Sequence, residues 1–179
     1  MLETPAELTA LQSLLDASMV TAGPHLRDVI TDERRLSAVN LTTRLQGMRL
    51  LVLGTVTADG RPLVSPVDGY FLHGTFWFST ARSSVRVRHL RQRPACSATH
   101  LPGDELAVTV HGRAEVAALE DPVNADLLQA MLDEYLPKVG PEFESGLVEM
   151  DAVGVRIVPE KLFTFHMDPP SPTPTPDVP

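Results

Sequence analysis

The chain has 179 residues, a formal net charge of −8, 43% apolar and 21% charged residues, a composition that suits one globular domain burying roughly 70% of its unfolded surface. The acidic balance argues against a general nucleic-acid binder, whose affinity rests on positive surface charge, and no apolar run approaches the ~20 residues of a membrane-spanning helix. The single cysteine, Cys96, excludes an internal disulfide framework, and the acidic start MLETPAELTALQSLLDAS lacks the basic n-region of a signal peptide, so a cytoplasmic location is expected.

Leucines at 8, 11, 14 and 15 give residues 6–18 helical spacing, and TDERRLSAVNLTTRLQGM predicts a second helix over 31–48 with Gly47 near its end. Residues 1–44 read as an N-terminal helical extension. From residue 45 the pattern shortens to that of strands. LLVLGTVTADG ends in Asp59-Gly60, a tight-turn pair, and RPLVSPVDGYFL returns as a strand that Pro62 and Pro66 confine to irregular or edge pairing. His73-Gly74 turns the chain into the aromatic strand TFWFS, and residues 83–92 read as a short helix. ACSATHL, ELAVTVHGRAEVAAL and VGVRIVPEKLFTFH supply the remaining strands, with Gly112 as a bulge. Between the last two, residues 121–138 form an amphipathic helix opened by Asp121-Pro122. The sum is mainly β, six strands with hairpin connections and helical insertions, hence an antiparallel barrel or sandwich over residues 45–167. Residues 168–179 hold six prolines in twelve positions and are expected to be extended and unpacked.

Five arginines, Arg82, Arg86, Arg88, Arg91 and Arg93, fall within twelve residues of this acidic chain. On a helix at about 100° per residue, Ser83, Val87 and Leu90 turn toward the sheet. Arg86, His89 and Arg93 border that stripe, while Arg88 and Arg91 face solvent. Arg86 stands one turn into the helix, behind Ser79, Thr80, Ser83 and Ser84. A helix N-terminus with unpaired N–H groups, hydroxyl donors and a forked guanidinium suits a phosphate, with the apolar end of a mononucleotide along the strands. The competing reading is a capped helix with a solvated basic face. P-loop and dinucleotide fingerprints are absent. Trp77 reads as core. His111 reads as an ordinary strand histidine or a donor at the edge of a ligand ring, and Phe163, Phe165 and His166 as packing or as the mouth of a site. The scattered histidines and lone cysteine offer no metal-ligand set.

LGTVTADGRPLVSPVDGYFLHGTFWFSTARSSVRVRHLRQRP, followed by AVTVHGRAEV and VRIVPEKLFTFH, resembles the flavin-binding split-barrel family, also called pyridoxamine 5′-phosphate oxidase-like proteins. The likeness spans roughly residues 45–166. It implies a six-stranded antiparallel split β-barrel of the FMN-binding type, acting on a small-molecule substrate as a homodimer with each cofactor at the subunit interface. Carried over by position, it puts the cofactor phosphate on Arg86, Ser84 and Arg61. The ribityl chain and ring then lie along Val64, Ser65, Pro66 and Val67, with Ser79 and Thr80 at the strand end. Arg82 and His89 are further candidates without a firm family counterpart. Two departures stand out. KLFTFH replaces the Arg-x-x-x-Arg-type substrate motif of the true oxidase, which argues for a substrate other than pyridoxamine phosphate. Ala107 stands where that oxidase places a flavin-contacting glutamine. The expected activity is therefore an FMN-dependent oxidoreductase. The alternatives are a reductase using the deazaflavin coenzyme F-420, with Arg34, Arg35 and Arg44 near its longer tail, and a non-catalytic flavin- or haem-binding module, with His89 and His111 as the haem candidates.

Overall fold

The computed structural model describes residues 2–167, and the described chain enters through a helix that caps itself. In α1 (Pro5–Val20), Glu7 N–H donates to Thr4 Oγ1 at 3.3 Å and Glu7 Oε2 accepts from Thr4 N–H at 2.7 Å, a reciprocal capping box. Leu11 and Leu15 lie on the buried side.

The single helix expected over 31–48 does not form. The chain instead makes α2 (Pro24–Val29), a 3-10 turn at Asp32–Arg34 and α3 (Ala38–Arg44). The cause is long-range: the Leu36 N–H donates to Thr164 Oγ1, 128 positions away, at 2.9 Å. Ser37 then caps α3 by accepting from Asn40 N–H.

The strands are β1 (Arg49–Val56), β2 (Pro62–Leu72), β3 (Thr75–Ala81), β4 (Ala95–His100), β5 (Leu106–Ala118) and β6 (Ala152–His166). They close as an antiparallel barrel in the order β1-β2-β3-β6-β5-β4, the expected mainly β, six-stranded architecture. Helix α4 (Val85–Gln92) follows β3. The helix expected over 121–138 resolves into a 3-10 turn at Pro122–Asn124 and α5 (Ala125–Val139). A further helix, α6 (Glu142–Glu149), follows because Gly140, at φ 86°, ends α5 and Pro141 opens a new first turn. Among the described residues no helix is long and apolar enough to cross a membrane. The proline-rich segment 168–179 lies outside the described residues.

Strand alternation sorts the apolar side chains into two cores. Phe76, Phe78, Val67 and Phe71 point into the barrel, where Leu11, Leu15, Leu36 and Leu41 of the N-terminal helices and Val87 and Leu90 of α4 close it. Tyr70, Leu72 and Trp77 point outward beneath Leu127, Met131 and Leu147 of α5 and α6. Trp77 is thus core, its Nε1–H donating to Leu72 O at 3.1 Å. Cys96 is buried, and burial, followed by the charge of Glu160, pushes its thiol up to about 11.

The ladder between β5 and β6 slips at His111/Gly112: His111 pairs with Lys161 and Gly112 with Pro159, so Glu160 is the extra residue. A proline beside the slip loses no ladder bond, because it has no N–H to donate.

Candidate functional site

The site begins with an unpaired edge. β2 pairs with β1 from Pro62 to Gly69 but with β3 only from Gly69 onward. Residues 62–68 therefore have a neighbour on one side alone, where Pro62 and Pro66 are tolerated. Pro66 stands opposite Val52, and its carbonyl oxygen meets Arg86 Nη2 at 3.5 Å. Antiparallel alternation sends the N–H and C=O of Val64 to the same free edge.

Helix α4 starts beside that edge. Ser84 is its cap, with Oγ accepting from Val87 N–H at 3.3 Å. Capping uses a lone pair and leaves the Ser84 hydroxyl hydrogen available to a ligand. Ser83 is exposed rather than turned to the sheet, because the helix begins only at Val85 and the 100° wheel does not reach it.

The five arginines divide sharply. Arg82 Nε donates to Asp151 Oδ2 at 2.8 Å and its N–H to Asp151 O at 3.0 Å, tying the end of β3 to the turn before β6. Arg93 Nε donates to Val56 O at 3.0 Å. Arg88 and Arg91 are exposed. Arg86 is half-buried, makes no ion pair with a carboxylate among the described residues, and has its pKa lowered by burial. His89, a border residue on the wheel, is only 5% exposed and holds Thr55 Oγ1 at 3.1 Å through Nδ1. Its ring is thus committed to Thr55 of β1, although His89 also borders a concavity shared with Leu63 of β2.

The other expected contacts do not all share a face. Val67 points into the barrel core and Ser65, two residues before it, shares that face, whereas Val64, 65% exposed, and Pro66 point outward. A ligand on the free edge meets the backbone of all four but the side chains of one pair. Thr80 continues the inward row of Phe76 and Phe78, while Ser79 continues the row of Trp77. The Ser79 hydroxyl is buried without a hydrogen-bond partner in the described structure. Arg61 belongs to the β1–β2 turn, its Nε donating to Asp59 Oδ2 at 2.8 Å. The elements thus bring together Arg86, Ser84 and the edge of β2, and leave Arg61 engaged with its own turn.

A second concavity of about 360 Å3 lies between α2 and the outer faces of β5 and β6. Ala107, His111, Phe163 and Phe165 form one wall, with Leu26 and Ile30 opposite. His111 Nδ1 is 2.7 Å from Ser97 Oγ, and the His111 ring meets Phe163 edge-on with centroids 6.1 Å apart. Arg34 Cζ stands 5.7 Å from the Phe165 ring centroid, and Arg35 is paired with Asp32 at 2.5 Å. The sequence reading missed the α2 wall. Its signal was Gly23-Pro24 before Leu26, Val29 and Ile30, a helix start with a short apolar stripe.

The profile of the family described as pyridoxamine 5′-phosphate oxidase matches residues 40–165. Among solved structures, the fold is similar to that of a conserved hypothetical protein of Mycobacterium tuberculosis, with 23% identity over 76% of this chain and 88% of that one and a TM-score of 0.62. It is also similar to HutZ, a haem storage protein of Vibrio cholerae, with 20% identity over 74% and 95% of the two chains and a TM-score of 0.58. An FAD-binding protein of Mesorhizobium loti aligns at 22% identity over 75% and 98%, with a TM-score of 0.53. A search of curated protein sequences gives no match.

Proposed function

The chain belongs to the pyridoxamine 5′-phosphate oxidase family, and on that premise we propose that it is an FMN-dependent oxidoreductase of the cytoplasm whose cofactor phosphate sits on Arg86 and Ser84. The observation that carries this reading is Arg86 itself, a half-buried cation with one long contact to a carbonyl and no carboxylate partner among the described residues. A guanidinium withdrawn from water without a counter-charge is costly, and a phosphate offers the bidentate acceptor that its fork matches. The donor chemistry of Arg86, the Ser84 hydroxyl and the first N–H groups of α4 fits such a group. Bound FMN supplies the hydride chemistry. The chain's own part is to fix the phosphate at α4 and to hold the cofactor along β2 through the Val64 and Pro66 backbone.

The same reading includes a homodimer. Register brings Pro66, Val52, Thr99, Thr109 and Phe163 of five neighbouring strands into one row without a charge. Leu50 and Val52 on this face are 55% and 45% exposed, an apolar patch that suits a second copy. Val52→Glu should convert a dimer into a monomer in sedimentation analysis. A wild-type protein that sediments as a monomer contradicts this part. The substrate is a small molecule other than pyridoxamine phosphate, since the outward side chains of residues 161–166 include Phe163 and Phe165 and no arginine. Affinity for FMN by equilibrium titration, with and without Arg86→Ala, tests the whole reading.

A haem-binding module is the second reading, favoured by the His111 groove. Its walls are largely apolar and aromatic, Ser97 holds one ring nitrogen of His111, and Arg34 stands at the far end by Phe165. Haem titration should then give a Soret shift that His111→Ala abolishes. A wild-type spectrum identical to free haem removes this reading.

A further inference from the structure

The β2–β3 turn carries an arrangement with no part in the site above. His73, with φ 54°, projects its ring between two helices. Nδ1 lies 3.0 Å from Glu7 Oε1 on α1, and Nε2 lies 2.8 Å from Asp126 Oδ2 on α5. The other oxygen of Glu7 is already committed to the capping box, accepting from Thr4 N–H. One carboxylate thus caps α1 and grips the barrel at the same time.

We propose that His73 is a proton-operated clamp that ties α1 and α5 to the β2–β3 turn and loosens α1 when it loses its proton. A neutral imidazole has one N–H and one lone pair, whereas two carboxylate oxygens, both acceptors, face its two nitrogens. Only the imidazolium donates to both. After deprotonation one of the two contacts sets a lone pair against a carboxylate.

The charged groups acting on the ring are Glu7 from α1 and Asp126 from α5; β2 and β3 bring none among the described residues. Burial alone lowers the His73 pKa, but the hydrogen bond to Asp126 and the attraction and hydrogen bond of Glu7 outweigh it, and the net direction is up. The sign follows. A histidine whose folded pKa is raised contributes its stability fully below the unfolded value near 6.5, and loses it as pH rises through the folded value.

Loosening reaches the barrel through α1. Leu11 and Leu15 are part of the main core, Leu11 packs over Gly74 of the same turn, and Ser18 Oγ accepts from Leu162 N–H of β6 at 2.9 Å. The clamp therefore gates how firmly α1 covers β6 and the turn.

The test is hydrogen exchange of the full chain at about pH 6 and pH 8.5, corrected for intrinsic rates, with imidazole nitrogen NMR of His73. Protection of α1 amides should fall about two- to fivefold at the higher pH, the range of a partly exposed ion pair. His73 should titrate above the ordinary histidine value with both nitrogens protonated below it. His73→Asn keeps a residue suited to positive φ and should make α1 protection independent of pH. Glu7→Gln and Asp126→Asn, which leave the turn intact, should each lower the His73 pKa. A His73 pKa at or below the ordinary value, or α1 protection in the wild type that does not change with pH, overturns the clamp.

Discussion

Arg86→Ala is expected to weaken FMN binding by about 10- to 100-fold, from the loss of roughly 1.5–3 kcal/mol for a hydrogen bond to a charged group. The melting temperature of the cofactor-free protein should stay level or rise slightly. Arg86 makes no ion pair among the described residues, and its one contact, to Pro66 O at 3.5 Å, is long. Removing an uncompensated, partly desolvated cation sacrifices little. The two readouts therefore move apart, which a structural arginine does not produce. Arg86→Lys should recover only part of the affinity, because an ammonium keeps the charge and loses the planar fork. Unchanged FMN affinity together with a fall in melting temperature assigns Arg86 to the fold and removes it from the site.

Gly112→Ala is expected to be the most damaging small substitution in the barrel, on the order of 3 kcal/mol, or about 10 °C in melting temperature. A Cβ at this position runs into the backbone carbonyl oxygen of Val158, with Pro159 Cα close behind. Backbone at the centre of the longest ladder has no rotamer by which to move aside. The adjacent slip that accommodates Glu160 and Pro159 also fixes the register of Phe163 and Leu162. Gly146→Ala is the matched control: it lies in α6 with open space around it and should be neutral or mildly stabilising. Thermal unfolding of both variants measures the difference. Equal melting temperatures mean that the β5–β6 pair relaxes around an added methyl.

Strands and turns were legible in the sequence because their determinants are local. Asp59-Gly60 and His73-Gly74 mark the hairpins, Pro62 and Pro66 mark a one-sided strand, and Gly112 marks the slip. Ser84 was legible as the cap of α4 for the same reason, since cap and first turn are neighbours in sequence. The N-terminal segment was not. Residues 31–48 carry a helical pattern, but the Leu36 N–H is taken by Thr164 from the far end of the chain, and no local signal announces that bond. The role of His73 was equally hidden, since its two partners are 66 and 53 positions away. Position alone also grouped Val64, Ser65, Pro66 and Val67 as one contact, although strand alternation splits their side chains between two faces. Ser79 and Thr80 divide in the same way, one toward Trp77 and one toward Phe78.

An anion held by Arg86 is what the proposed cofactor chemistry rests on. The direct measurement is an equilibrium titration of the purified protein with FMN and, in parallel, with coenzyme F-420, repeated on Arg86→Ala. The predicted result is saturable binding of one FMN per chain, tighter than F-420, and weakened 10- to 100-fold by the substitution. The contradicting result is no saturable binding of FMN, or binding that Arg86→Ala leaves untouched.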